Sequence, residues 1–255
     1  MKHQLYFEKS IQRWDEAIPL GNGRLGALIW GDPEELRFSL DRTDIWDLSV
    51  PLNTEREDFT YGHMVKLAKE GNTSEIRKLF DAPYNYPTPT KLPAGKLIFR
   101  FGEGKNVQSS LFLESAEAVL KVDTKKGEIP LKAFCHAVSK TGMIFVGAKK
   151  SAFEMELLNP EFGNSEGKES LNYDPDAREI SQGSLKRLHY PGVICGKSQN
   201  EVELQWFEQK VDEKFSFGIV IGILEKENHT EIFYRITTSG DGKNWMEPPP
   251  LPQQD

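Results

Sequence analysis

Three glycines, Gly21, Gly23 and Gly26, crowd into the stretch from Trp14 to Gly31, which also carries Pro19, Arg24 and Trp30. They spell G-x-G-x-x-G, a spacing that serves two incompatible folds. In a dinucleotide-binding unit a strand feeds the glycines and a helix opens at them, aiming its N-terminus at a pyrophosphate. The flanking residues argue against that unit. Pro19 stands where the feeding strand belongs and lacks the N–H a sheet ladder needs. Beyond Gly26 the apolar run 27–30 is closed by Gly31-Asp32-Pro33 within about one and a half helical turns. Residues 35–41 then alternate like a half-buried strand. The unit therefore reads as a glycine turn, a strand, a tight turn and a second strand, with the glycines serving positive φ or close backbone approach.

The rest of the chain repeats that theme. A first strand is expected near 4–8, and later ones near 96–101, 110–113, 118–123, 131–137, 143–148, 152–158, 188–194, 201–209, 215–224 and 231–238. In the strand at 215–224, Phe215, Phe217, Ile219, Ile221 and Ile223 share one face. Short strands punctuated by turn residues predict a mostly β protein, an antiparallel β-sandwich. The exception is 59–80, where apolar spacing turns helical and Gly71-Asn72 splits it into a short helical pair. Residues 84–93 read as an extended proline loop and 159–184 as a long polar loop. Residues 1–245 are expected to form a single sandwich domain. The proline-rich tail 246–255 reads as the start of a linker to a further domain.

Composition narrows the partners. A net charge of -7 with no lysine–arginine cluster disfavours nucleic acid and anionic membrane surfaces. No run approaches the ~18 apolar residues of a spanning helix. The first residues show no secretory leader; a removed leader would make the protein secreted or periplasmic. Cys135 and Cys195 both lie in apolar, strand-like segments and are expected to be buried free thiols.

Motifs that carry chemistry are sparse. The carboxylates around the glycine stretch, Asp15, Glu16, Glu34, Glu35, Asp41, Asp44 and Asp47, read as solvated turn and strand-edge groups. The five histidines are scattered without ligand spacing, and no G-x-S-x-G elbow is present. No catalytic residue, metal ligand or cofactor is assigned. Trp30 and Trp206 lie in strands and are expected in the core. Trp46, Tyr84 and Tyr86 lie in loops and are the better contact candidates. Arg24 sits in the glycine turn beside Asn22, where a guanidinium can brace backbone carbonyls or reach across an interface.

The stretch RWDEAIPLGNGRLGALIWGDPEELRFSLDRTDIWD resembles the opening of the amino-terminal domain of glycoside hydrolase family 95, the α-L-fucosidase and α-L-galactosidase family. Trp14, the run Glu16 to Ala27, Gly31, the strand ending at Leu40, and Asp44 before Trp46 match its pattern without a gap. The resemblance implies a non-catalytic sandwich supporting an (α/α)6 barrel that bears the catalytic acid and base. It also implies that the turn of Asn22 and Arg24 lies toward that barrel. The partner is then the C-terminal catalytic domain of the same parent chain. A free-standing carbohydrate-binding module that takes glycans on Tyr84 and Tyr86 is the alternative. A complete small enzyme would need two facing carboxyls, and the strand pattern supplies no such pair.

Overall fold

The computed structural model describes residues 3–50, 52–81, 87–162, 188–199 and 202–247. Its strands are β1 (Gln4–Phe7), β2 (Ile18–Gly21), β3 (Leu25–Asp32), β4 (Glu35–Arg42), β5 (Trp46–Asp47), β6 (Thr90–Lys91), β7 (Gly95–Arg100) and β8 (Gly104–Phe112). They continue with β9 (Glu117–Thr124), β10 (Gly127–Cys135), β11 (Thr141–Val146), β12 (Glu154–Leu158), β13 (Ile194–Gln199), β14 (Glu203–Lys210), β15 (Ser216–Glu225) and β16 (Thr230–Thr238). Every pairing is antiparallel. Nine strands make a large sheet in the order β1-β8-β9-β10-β11-β16-β15-β14-β13, and five make a smaller one, β12-β7-β4-β3-β2. β5 and β6 form a separate ribbon.

The two sheets face each other across one apolar cluster, so the expected antiparallel sandwich is the fold. Strand parity builds it. Leu36, Phe38 and Leu40 of β4 meet Phe217, Ile219 and Ile221 of β15 in that cluster, all at most 2% exposed. Phe38 and Phe99 touch edge to face, with ring centroids 5.4 Å apart.

The helical pair forms as α1 (Tyr61–Lys69) and α2 (Thr73–Ile76), the latter running into a wider helical turn, Arg77–Asp81. Thr60 caps α1 by accepting from the His63 N–H, and Asn72 caps α2 by accepting from the Glu75 N–H. Their buried Leu67 and Leu79 lie outside the main cluster, and Phe59 packs on Phe80 at 5.1 Å.

Several expectations need correction. A strand does precede the glycines: β2 contains Pro19, tolerated because β2 is the edge of the small sheet and Pro19 is exposed there. The glycines lead into β3 rather than a helix, so no phosphate-binding helix end arises. Gly23 has φ 84° and Gly21 approaches the Leu25 carbonyl; a Cβ on Gly26 would meet only ordinary contact. Both cysteines are free, but only Cys135 is buried; Cys195 is exposed on the edge strand β13. The strand expected at 188–194 begins only at Ile194. Trp206 is half-buried on the outer face of β14, lying over Gly196, and is not core. Trp46 belongs to the short ribbon rather than to a loop. Residues 163–187, Tyr84, Tyr86 and the tail from 248 fall outside the described residues.

Candidate functional site

The end of the sandwich that carries the β2–β3 turn is organised by a residue on a core position of its strand. Arg42 continues the inward parity of Leu36, Phe38 and Leu40, and its side chain is 2% exposed. A guanidinium taken out of water needs anions and acceptors already in place. Asp241, also 2% exposed, takes both terminal nitrogens of Arg42, Nη2 at 3.0 Å. Asp44 accepts from Nη2 at 2.9 Å, and the Ile236 carbonyl accepts from Nη1 at 3.0 Å. The turn Ser239–Asp241 presents Asp241, and the Thr238 N–H donates to its Oδ2 at 3.2 Å.

Two further cations complete the cluster. Lys140 Nζ donates to Asp241 Oδ1 at 2.6 Å. Arg24 Nη2 lies 3.2 Å from Asp241 Oδ1 and 3.5 Å from Asp44 Oδ2. Burial works against a charge on Asp241, but the bonds from Arg42, Lys140 and the Thr238 N–H outweigh it and hold the carboxyl far below the ordinary range. Burial also opposes the charge on Arg42, and Asp241 and Asp44 raise its pKa nonetheless. A carboxyl so depressed carries no proton to give near neutral pH, so Asp241 acts as an electrostatic fastening and not as a general acid.

Asn22 clamps the two sheets together here. Its Oδ1 accepts from the N–H groups of Arg24 and Leu25 at 3.0 and 2.8 Å, closing the turn at Gly23. Its Nδ2 donates across to the carbonyls of His136 and Ser139 at 2.9 and 3.2 Å, in the β10–β11 turn. Asn22, Arg24, Arg42, Lys140 and Val138 line a cavity of about 130 Å3.

Four large apolar side chains are exposed near this end. Asp47 turns inward and accepts from the Ser49 N–H at 2.8 Å and from the Tyr190 hydroxyl. Burial works against its charge, yet the Ser49 and Tyr190 hydrogen bonds lower its pKa. With Asp47 facing in, its neighbours face out: Trp46 is 44%, Leu48 73% and Val50 60% exposed, and Val138 at the cavity is 89% exposed. Trp46 is fixed by its indole N–H donating to the Thr43 carbonyl at 2.9 Å.

Of the sequence candidates, the structure gathers Asn22, Arg24 and Trp46 at this end; Tyr84 and Tyr86 lie outside the described residues. Sequence reasoning misses Arg42, Lys140 and Asp241. Arg42 carries a signal, since it shares the parity of three core residues. Asp241, 199 positions away from Arg42, carries none.

The family model described as "Glycosyl hydrolase family 65, N-terminal domain" matches residues 5–174, more than half of the chain. The chain belongs to that family. As a glycosyl hydrolase family 65 N-terminal domain it brings Asn22, Arg24, Arg42, Trp46 and Lys140 from within the matched range, whereas Asp241 lies beyond it. Among curated proteins it is similar to "Alpha-L-fucosidase 2" of Arabidopsis thaliana, 34% identical over 86 residues. That match covers 31% of this chain and 10% of the relative, so the chain spans only a small part of it. Among the described residues no group of three histidine, cysteine, aspartate or glutamate side chains converges as a metal site. No helix among them is long and apolar enough to cross a membrane.

Proposed function

We propose that this sandwich is the non-catalytic N-terminal domain of a family 95-like glycoside hydrolase. It holds and orients an (α/α)6 barrel that cleaves glycosidic bonds such as α-L-fucosides. The observation that carries the reading is an inversion at one end of the molecule: charge is buried in Arg42 and Asp241 while Trp46, Leu48, Val50 and Val138 expose carbon. Exposed carbon beside buried charge is what a separated interface leaves behind. The ungapped family 95 pattern from Trp14 to Trp46 and the similarity to a protein named Alpha-L-fucosidase 2 support the substrate class.

The test begins with the reading frame beyond Asp255. Paired helices over several hundred residues, and hydrolysis of an aryl α-L-fucoside by the intact product but not by this chain, are the expected result. In that product Trp46→Ala with Leu48→Ser lowers activity or releases the domains without unfolding the sandwich. A frame that stops at Asp255, together with binding of fucosylated glycans by the isolated chain, overturns the reading in favour of a free-standing carbohydrate-binding module.

A further inference from the structure

The cavity beside Arg24 carries a positive charge that nothing among the described residues neutralises. Arg24, Arg42 and Lys140 face Asp44 and Asp241, three cations against two anions, in a chain whose net charge is -7. A neighbouring ionic pair, Lys91 with Asp41, is balanced. The His136 ring does not line the cavity; its Nδ1 accepts from the N–H groups of Val138 and Ser139. Arg42 is fully engaged, its Nε 2.7 Å from Asp44 Oδ1 and its terminal nitrogens on Asp44 and Asp241. The two outer cations stand at the mouth, Arg24 at 47% and Lys140 at 36% exposure.

We propose that this cavity receives a single carboxylate, the side chain of a Glu or Asp carried by the helical barrel of the parent chain. The inference rests on the function proposed above and names a polar contact of that interface. Charge selects the ligand. One monoanion balances the one surplus cation, whereas a phosphate dianion would leave the cluster with a net negative charge beside its two resident carboxylates. Size selects it too, because about 130 Å3 admits a carboxylate with its methylene stem but is small for a ligand pocket. Geometry agrees, since the planar fork of Arg24 matches two carboxylate oxygens. Docking of Trp46 and Val138 against the same partner would exclude water and strengthen the ion pair.

Two measurements test this. Acetate is titrated into the 255-residue chain at constant ionic strength against chloride, and backbone amides are followed by NMR. Saturable shifts at Asn22, Val138, Ser139 and Lys140 are expected. The double variant R24Q/K140Q should weaken the affinity about tenfold, equivalent to ~1.4 kcal/mol. Linear shifts matching those of chloride, or tighter binding of inorganic phosphate, overturn the assignment. The partner is tested by amine-reactive labelling of the intact parent protein and of this chain. Lys140 should be protected in the parent, while the remote Lys121 and Lys125 react alike in both. Equal labelling of Lys140 with protection of Trp46 in oxidative footprinting sinks the carboxylate contact and leaves the proposed function standing. Protection of neither residue sinks both.

Discussion

The two ends of the β3–β4 hairpin treat charge in opposite ways. At the end where β3 begins and β4 finishes, Arg42 and Asp241 are buried against each other and Trp46, Leu48 and Val138 are left in solvent. At the other end, the turn after Asp32 borders a broad groove of about 720 Å3 lined by Glu8, Lys9, Asp32, Glu34 and Lys105. There the charged side chains stay at least partly in solvent, and hydrogen bonds order the end, some within the turn and one across 96 positions. Asp32 Oδ1 accepts from the N–H groups of Glu34 and Glu35 at 3.0 and 3.2 Å, and Asn106 Oδ1 accepts from the Ser10 N–H at 2.8 Å. Burying charge while exposing carbon costs an isolated domain at both steps, and the proposed interdomain contact would offset that cost at the first end only. Substitutions at the two ends weigh one against the other.

The largest effect is expected at the buried pair. Asp241→Ala leaves Arg42 without its bidentate partner, and removing one member of a buried pair typically costs about 3–5 kcal/mol. In a domain of this size that lowers Tm by roughly 10 °C, measurable by calorimetry or urea titration. Arg42→Met with Asp241→Leu should recover most of the loss, because a well-packed apolar pair needs no desolvation. The pH dependence has a definite sign. The folded-state pKa of Asp241 is depressed, so its contribution is fully present above the ordinary carboxyl value of about 3.9 and is lost as pH falls below it. Asp241→Asn should flatten that part of the acid unfolding curve. If stability is unchanged in all three variants, the inner cluster is not a fastening.

Glycines placed at the two ends of β3 give the next comparison. Gly31 has φ 111°, and a Cβ there would lie 2.1 Å from the Glu35 carbonyl oxygen. Gly31→Ala must therefore move backbone as well as adopt a disfavoured conformation, at about 2–3 kcal/mol. Asn22→Ala follows at about 1–2 kcal/mol, since it strands the Arg24 and Leu25 N–H groups and the carbonyls across the sheets. Gly23 has φ 84°, but a Cβ placed there would find nothing within 4 Å, so Gly23→Ala meets only the left-handed strain, ~1 kcal/mol. Equal losses for Gly31→Ala and Gly23→Ala would remove the steric distinction between the two turns.

How far these features are legible in the sequence follows from the distance over which each signal acts. The period-two alternation of 35–41 and 215–224 marks β4 and β15, because burial on one face of a strand writes itself into neighbouring residues. The helical pair is legible for the same reason, with Thr60 and Asn72 as its caps. Pro19 misleads because its local rule, the missing N–H, depends on whether the strand is an edge, and sheet order is a long-range property. Trp206 misleads likewise: its strand is evident, but which face meets the core is not. The glycine turn draws attention to Asn22 and Arg24, yet their partners His136, Ser139 and Asp241 lie 114, 117 and 217 positions away. Arg42 is the one member of the buried cluster that the parity of its own strand marks.

The smallest effect is expected at Arg24, and it separates stability from recognition most cleanly. Its bonds to Asp241 and Asp44 are long, at 3.2 and 3.5 Å, and its side chain is 47% exposed. Such pairs contribute at most a few tenths of a kcal/mol to folding, and Asp241 keeps Arg42 and Lys140 when Arg24 is gone. Arg24→Gln in this chain should therefore leave the unfolding free energy from urea titration within about 0.5 kcal/mol of wild type. A loss comparable to that of Asn22→Ala would show that Arg24 is a brace of the turn, with its charge already committed inside the domain. A silent variant leaves the guanidinium uncommitted in the isolated sandwich, at the mouth of a cavity whose lining includes the exposed Val138, which is the position the proposed contact requires.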